Sequence, residues 1–413
     1  MNGQQSKMKL IAAISLLLVC LLGGSCAPAP DFDNHLSSIV KPYRFSILRW
    51  ESRAIPHEVN QWVFSRDEKI DDEVAVVAQY FSFVERINTL KSEIEAINTG
   101  NGQGDLASLQ AELNELEGQK TALEDMVERI IGSQIKETLA QQGIFNPVDK
   151  YTGLTVGFPP LNFELEKPPY LLVISPRDRI ESMRELTLQP GISLEEIEDI
   201  EAKVDKLGVS SLVVELGGFA TYPSLVTNDA SLRFTIDTAT EEWLHQYLVF
   251  APLGFLYLLD LTGVSRNYEI ATINEALASM VSKEIGAIVY EKYYPMYEDG
   301  DNQNQVAESE FDFNREMGEI RREVDKYLAR GEIEQAEEFM EQKQQYLASM
   351  GYYIRKLNQA YFAFYGTYAD SPAFISPIGL ELKELRSQSA SLKDFLNTVA
   401  AMTSRQELRD GTK

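Results

Sequence analysis

The chain reads as an α+β protein that is mostly helical: a helical hairpin or coiled coil, then a small strand-bearing segment, then a long helical half. Three observations lead there. Apolar residues recur at spacings of three and four on both sides of a polar turn at residues 98–104. Two short apolar runs, residues 170–175 and 211–216, are each closed by a breaker and flank a capped helix. From residue 236 onward helical periodicity returns and persists to the end. With 413 residues the chain has room for two to three domains. The composition, 44% hydrophobic and 24% charged, is that of a globular protein rather than a disordered one.

Charge and residue counts exclude several functions. The formal net charge is −25, so the chain lacks the basic footprint that nucleic-acid binding needs. With three histidines (His35, His57, His245) and two cysteines (Cys20, Cys26), a site built on several histidines, a cysteine-rich zinc ribbon and a disulfide framework are excluded.

Residues 1–26 predict an export signal. Lys7 and Lys9 precede an apolar run over residues 10–22, which is too short to span a bilayer and fits a signal-peptide core. The following Gly23-Gly24-Ser25-Cys26 resembles a bacterial lipobox, with Gly23 where the box prefers leucine. Cys26 is therefore the expected lipidation site, and the chain is expected on the outer side of a cell membrane. The simpler alternative is a secretory signal cut after Ser25 or Ala27, and a retained anchor is a third. Without Lys7 and Lys9 the chain is more acidic still, so a tether, not adsorption to anionic headgroups, would hold it at a membrane.

Residues 27–146 predict a helical region whose centre, residues 74–131, is an antiparallel hairpin. One arm carries Val77, Phe81, Val84, Ile87, Ile94 and Ile97; the other carries Leu106, Leu109, Leu113, Leu116, Lys120, Leu123, Val127 and Ile130. An internal hairpin is the plainer reading, a dimerising coiled coil the alternative. In residues 147–235 the two apolar runs read as buried strands, and residues 193–206 as a helix with Ser193 at its N-cap and Glu196 closing a capping box. In residues 236–413 helices are expected over 241–250, 273–292, 311–347 (broken near Gly331) and 391–402, with an aromatic-rich stretch at 351–368. The apolar stretch 244–261 holds His245, Gln246, Pro252 and Asp260, so it reads as a core helix plus a turn rather than a membrane span.

The chemistry gathers at Thr240-Glu241-Glu242-Trp243-Leu244-His245-Gln246. Glu241 and His245 are one helical turn apart and share a face, with Glu242 beside them. Two ligands at i and i+4 with an intervening glutamate that polarises water is the spacing of the zinc-peptidase helix, here with Glu241 in place of the first histidine. A carboxylate ligates zinc at about the same distance as imidazole. Thirty residues on, Asn274-Glu275 precedes the small residues Ala276, Ala278 and Ser279, which let two helices approach closely. Glu241, His245 and Glu275 are the candidate metal ligands and Glu242 the candidate general base. His57-Glu58 is half of a similar motif, but Gln61 occupies its fourth place and reads as a helix start after Pro56. Asp260 is a candidate outer partner of His245.

On these residues the sequence resembles the gluzincin metallopeptidases, and among them a group of bacterial aminopeptidase-like proteins. Three stretches carry it: Glu241-Glu242-Trp243-Leu244-His245-Gln246; Asn274-Glu275-Ala276-Leu277-Ala278; and Arg355-Lys356-Leu357-Asn358-Gln359-Ala360-Tyr361 with Tyr365 and Tyr368. The resemblance covers roughly residues 205–400. The resemblance implies a zincin-like domain with a small sheet packed on the active-site helix, a divalent metal (zinc, with manganese or iron as alternatives) and peptide as substrate or ligand. It also implies an edge strand at Leu216-Gly217-Gly218-Phe219-Ala220 that takes up the substrate backbone. Tyr361, Tyr365 and Tyr368 are the candidates for the hydroxyl that stabilises the tetrahedral oxyanion. Glu241 departs from the family motif. Two carboxylates and one imidazole make a more negative donor set, so a degenerate peptidase-fold lipoprotein that binds peptides or proteins without turnover is the alternative function.

Overall fold

The computed structural model describes residues 31–46, 50, 72–147, 149, 153, 155–295, 297, 311–367, 371 and 376–412. Residues 1–26 (the expected signal segment with Cys20 and Cys26), the His57 motif and Tyr368 lie outside these residues. The described chain is mostly helical with two small sheets.

Helix α1 (Asp31–Val40) ends in a short 3-10 turn and lays Leu36 and Val40 onto the larger sheet. The hairpin follows as α2 (Glu73–Asn98) and α3 (Leu106–Thr121), with Asp72 and Asp105 capping the two N-termini. Ile87, Leu90 and Leu113 fill its seam with Ile94, Leu109 and Leu116, and Arg86 clasps Glu112 at 2.8 Å across it. Within the chain the apolar residues of the two arms thus pack against one another. The second arm does not run on to Ile130. It breaks at Ala122 and Leu123, and α4 (Glu124–Gln141) turns into the main core, carrying Val127 and Ile130 with it. Lys120, the polar exception in the heptad pattern, is buried at that break. Its ammonium donates to Glu124 Oε1 and to the Asn228 carbonyl, both at 3.0 Å.

Among the described residues six strands form two three-stranded sheets. The first, in order β3-β2-β4, comprises β2 (Tyr170–Pro176), β3 (Arg184–Leu188) and β4 (Val209–Glu215), all antiparallel. β2 and β4 are the two apolar runs, displaced from the expected bounds by no more than two residues. The edge strand β3 was not anticipated: its Arg184-Glu185-Leu186-Thr187-Leu188 is polar at alternate positions, and only Leu188 is fully buried. Between β3 and β4, α5 (Leu194–Asp205) carries the expected capping box, with Ser193 Oγ accepting from the Glu196 amide and Glu196 Oε2 accepting from the Ser193 amide. The second sheet, in order β1-β6-β5, has strands of two or three residues: β1 (Phe163–Leu165), β5 (Gly218–Phe219) and β6 (Ser224–Val226). Such short strands leave no periodicity to read.

The core lies between this second sheet and a pair of long helices. α6 (Leu232–Leu248) begins before the expected boundary at 236, and α8 (Tyr268–Tyr293) packs along it. Asp237 of α6 faces Gly286 of α8 so closely that no side chain would fit at 286, while His245 faces Glu275. The two helices therefore run antiparallel. The stretch 244–261 is not one span. α6 ends, and α7 (Pro252–Leu261) departs at 97°. Among the described residues no single helix is long and apolar enough to cross a membrane.

The C-terminal half closes around this pair. α9 (Phe313–Ala329) and α10 (Ile333–Ser349) form the expected charged hairpin, broken at Gly331. Tyr352 stacks on Phe313 at 4.5 Å, so part of the aromatic stretch is core. α11 (Gln359–Tyr365) packs on β2 and β4, and α12 (Ile378–Gln388), α13 (Leu392–Ala400) and α14 (Arg405–Gly411) pack against α8.

Candidate metal centre

The site is built on the last two turns of α6. Ser231 caps the helix, accepting from the Phe234 amide. Two side chains then fix its rotation. Gln246 donates to the Thr221 carbonyl at 2.7 Å and Ser224 Oγ at 2.8 Å, tying the helix to the β5–β6 corner; Trp243 donates to the Pro159 carbonyl at 2.8 Å. With those directions occupied, the i, i+4 pair Glu241 and His245 faces α8. There the close approach at Gly286, together with Ala278 and Ser279, brings Glu275 within reach.

Glu241, His245 and Glu275 each offer one ligand atom, and these atoms all lie within 4.8 Å of one another. Glu275 is buried, and the other two are half-buried. His245 Nε2 sits 3.7 Å from Glu275 Oε2. The other oxygen of Glu275, Oε1, accepts a short hydrogen bond from the Tyr257 hydroxyl of α7. Tyr257 thus engages one carboxylate oxygen and leaves the other toward the histidine, a one-oxygen ligand geometry held from outside. On the far side of the imidazole, His245 Nδ1 lies 3.4 Å from Asn274 Nδ2. The sequence placed all three ligand candidates together correctly. It gave no sign of Tyr257, which sits in an apolar run with nothing to set it apart.

Glu242 lies against β5. A Cβ at Gly218 would fall inside contact distance of Glu242 Oε1 and 2.5 Å from Thr238 Cγ2. The backbone of Gly218–Phe219 therefore runs directly beside the candidate base, and among the described residues β5 is an edge strand, paired only with β6. Burial pushes the Glu242 carboxyl well above the usual carboxylate range, and the negative charges of Glu241 and Glu275 push it the same way. Glu185 of β3 is raised by burial and by Glu275 and Asp260, partly offset by its Ser182 hydrogen bond and by Arg266. This edge of the larger sheet therefore faces the same charged neighbourhood.

Other expected site residues lie elsewhere. Tyr361 and Tyr365 are on α11, packed with each other at 4.5 Å between ring centroids and against Leu212 and Val214 of β4. Among the described residues neither makes a hydrogen bond or ring contact with Glu241, His245 or Glu275, and burial raises both hydroxyls. Among the described residues the tyrosine that touches the triad is Tyr257. Asp260 is not bonded to His245. It accepts from the Asn267 amide at 2.5 Å and pairs with Arg266 at 3.7 Å, ordering the turn into α8.

One turn before Glu241, burial pushes Asp237 up to about 6, against the pull of Arg233 and Lys283. Its folded pKa lies above the unfolded value of about 4, so its contribution is full below pH ~4 and is lost as pH rises through ~6. The stability of the wild type relative to D237N is expected to fall by up to about 3 kcal/mol over that window, as read by urea unfolding at several pH values. A difference independent of pH would show that Asp237 titrates normally.

The fold and site thus define a mostly helical α+β protein with a three-residue carboxylate–imidazole group fit for a metal ion. No family model, curated protein or solved structure matches the chain.

Proposed function

We propose that the protein is an exported, lipid-anchored metallopeptidase of zincin-like architecture that hydrolyses peptides. The observation that carries this reading is the convergence of the Glu241, His245 and Glu275 ligand atoms within 4.8 Å, with Glu242 and the β5 edge beside them. Export and the anchor at Cys26 rest on the N-terminal sequence alone.

The donor set suits a divalent cation. Three carboxylates and one imidazole crowd a partly buried space, and a positive charge there offsets both the burial and the repulsion from Glu241 and Glu275 that raise Glu242. One nitrogen and two oxygens are acceptable to zinc, manganese and iron(II). A bound cation would supply Lewis acidity, polarising a carbonyl oxygen and lowering the pKa of water. The protein's own parts do the rest. The edge strand β5 offers unpaired backbone groups to an extended peptide, placing its carbonyl near Glu242. Glu242 takes a proton from the attacking water and passes it to the departing amine. Tyr257 keeps Glu275 in its one-oxygen orientation.

A second reading, a peptide-binding relative without turnover, is favoured by Glu241 standing where the family motif has histidine. The first test is the metal content of the full chain, purified without chelators. About one equivalent of zinc, manganese or iron is expected in the wild type, and a loss of most of it in H245A. A metal-free wild type that shows no thermal shift with any of the three ions would overturn the metal reading. Bound metal without hydrolysis of any peptide would select the second one.

A further inference from the structure

A helix on the surface of a globular protein carries polar residues on its outer side. α7 does not. Its one charged residue, Asp260, is buried, and its tyrosine points inward to Glu275. Leu253, Gly254 and Leu258 face the core. Pro252, Phe255 and Leu259 fall on the opposite side at spacings of three and four, and Phe255 is 49% exposed. The apolar exposure begins before the helix at Phe250 and runs on past it through Leu261 to Val264, which is 73% exposed. Of the thirteen large apolar side chains exposed among the described residues, four fall within residues 250–264, so the exposure is concentrated here rather than scattered.

The start of α1 lies at the same edge of the molecule. Asp33 of α1 pairs with Arg184, the first residue of β3, at 3.7 Å. The next residue of β3, Glu185, is close enough to Arg266 and Asp260 to feel both charges. Those two residues pair with each other across the turn that ends α7. Cys26 lies five residues before Asp31, so its Cα is at most ~18 Å from the start of α1. An acyl chain on Cys26 therefore brings this edge to the bilayer surface, and Leu261 and Val264 with it. Charge does not hold it there, because a chain of net charge −25 is repelled by anionic headgroups. Apolar contact does.

We propose that the outer face of α7, together with Leu261 and Val264, docks on the lipid surface to which Cys26 is tethered. The proposal rests on the anchor at Cys26 and not on the metal site. Ten residues are too few to span a bilayer. α7 therefore lies in the plane of the surface, with its outer side about 5–10 Å into the boundary between headgroups and acyl chains. The inner side of the same helix carries Tyr257, which holds Glu275. Docking thus sets the candidate metal centre about one helix diameter, ~10–12 Å, from the lipid, and the peptides it meets are those at the bilayer surface.

Fluorescence quenching in vesicles tests this. The full chain, expressed in bacteria and processed at Cys26, is reconstituted into phosphatidylcholine vesicles that contain a nitroxide-bearing phosphatidylcholine. An acylated Cys26 leaves the processed chain no free thiol, so V264C takes up a single polarity-sensitive fluorophore. Q103C is the control. It lies in the turn of the hairpin, whose arms are fixed to the residues before α6 through Asn88 and Lys120, whereas α7 follows the other end of α6. The label at 264 is expected to shift to the blue and to be quenched by the nitroxide lipid, and the label at 103 to show neither change. F255S/L261S in the V264C background, at two exposed positions, should lose most of the quenching while thermal unfolding stays unchanged. A label at 264 that behaves like the one at 103 in an acylated chain overturns the docking and leaves the anchor standing. A blue shift that grows with the density of protein in the vesicles and is not quenched by the lipid places a second copy of the chain on α7 and overturns the proposal as well. A wild type that takes up the thiol label shows that Cys26 is not acylated and removes the anchor. Quenching of V264C beyond that of the wild type then upholds the docking face by itself, and its absence overturns it.

Discussion

E242Q is expected to lose about 10²–10⁴-fold in peptide hydrolysis while keeping its cation and its fold. Glu242 is not one of the three ligand residues, and its carboxylate lies between the ligand helix and the backbone of β5. Glutamine matches it in size but cannot accept a proton from water. The loss should therefore appear in kcat, with metal content and thermal unfolding unchanged. Hydrolysis of a mixture of short peptides, followed by mass spectrometry, measures it. Activity that survived in E242Q would remove Glu242 as the base. The result also separates the two functional readings, since a binding protein without turnover has no activity to lose.

Gly218 gives the second large effect. In G218A the added methyl would sit 2.5 Å from Thr238 Cγ2 and 2.7 Å from Glu242 Cγ. Thr238 is buried on α6 and β-branched, so it has little freedom to move. Either β5 lifts away from α6 or Glu242 leaves its position. Overpacking of this kind costs about 1–3 kcal/mol, and the displaced base should lower kcat as well. The neighbouring glycine is the control. The three atoms nearest to an added methyl at Gly217 all belong to the ring tip of Phe234, which is 42% exposed and can swing into solvent. G217A is expected to stay within about 0.5 kcal/mol of wild type. Equal effects at the two positions would show that β5 does not depend on contact with Glu242.

Several elements were legible in the sequence because their signals are local. The hairpin shows itself in apolar spacing and a polar turn, α5 in its capping box, and β2 and β4 in unbroken apolar runs that must be buried on both faces. The break after Thr121 was not legible. Leu116, Leu123 and Val127 keep the heptad spacing across it, and only packing against the core turns the chain there. The edge strand β3 and the short strands β1 and β6 were missed because pairing, not propensity, makes them strands, whereas β5 falls inside the edge strand expected over residues 216–220.

For the site, the sequence by itself determined the helix that carries two of the candidate ligands. A 3.6-residue repeat places Glu241 and His245 on one face whatever surrounds them, and Asn274-Glu275 marks the partner helix. Which tyrosine joins them was decided only by tertiary structure. Tyr361 and Tyr365 lie about 120 residues further along the chain, and the sheet that α11 covers holds them in hydrophobic contacts of their own. Tyr257 lies only 12 residues beyond His245, but it reaches Glu275 because the chain bends by 97° between α6 and α7. Pro252 marks the break in the sequence, but the direction of the bend is set by the packing of Leu253, with Leu256 and Tyr257, against the core, a contact spread over many residues.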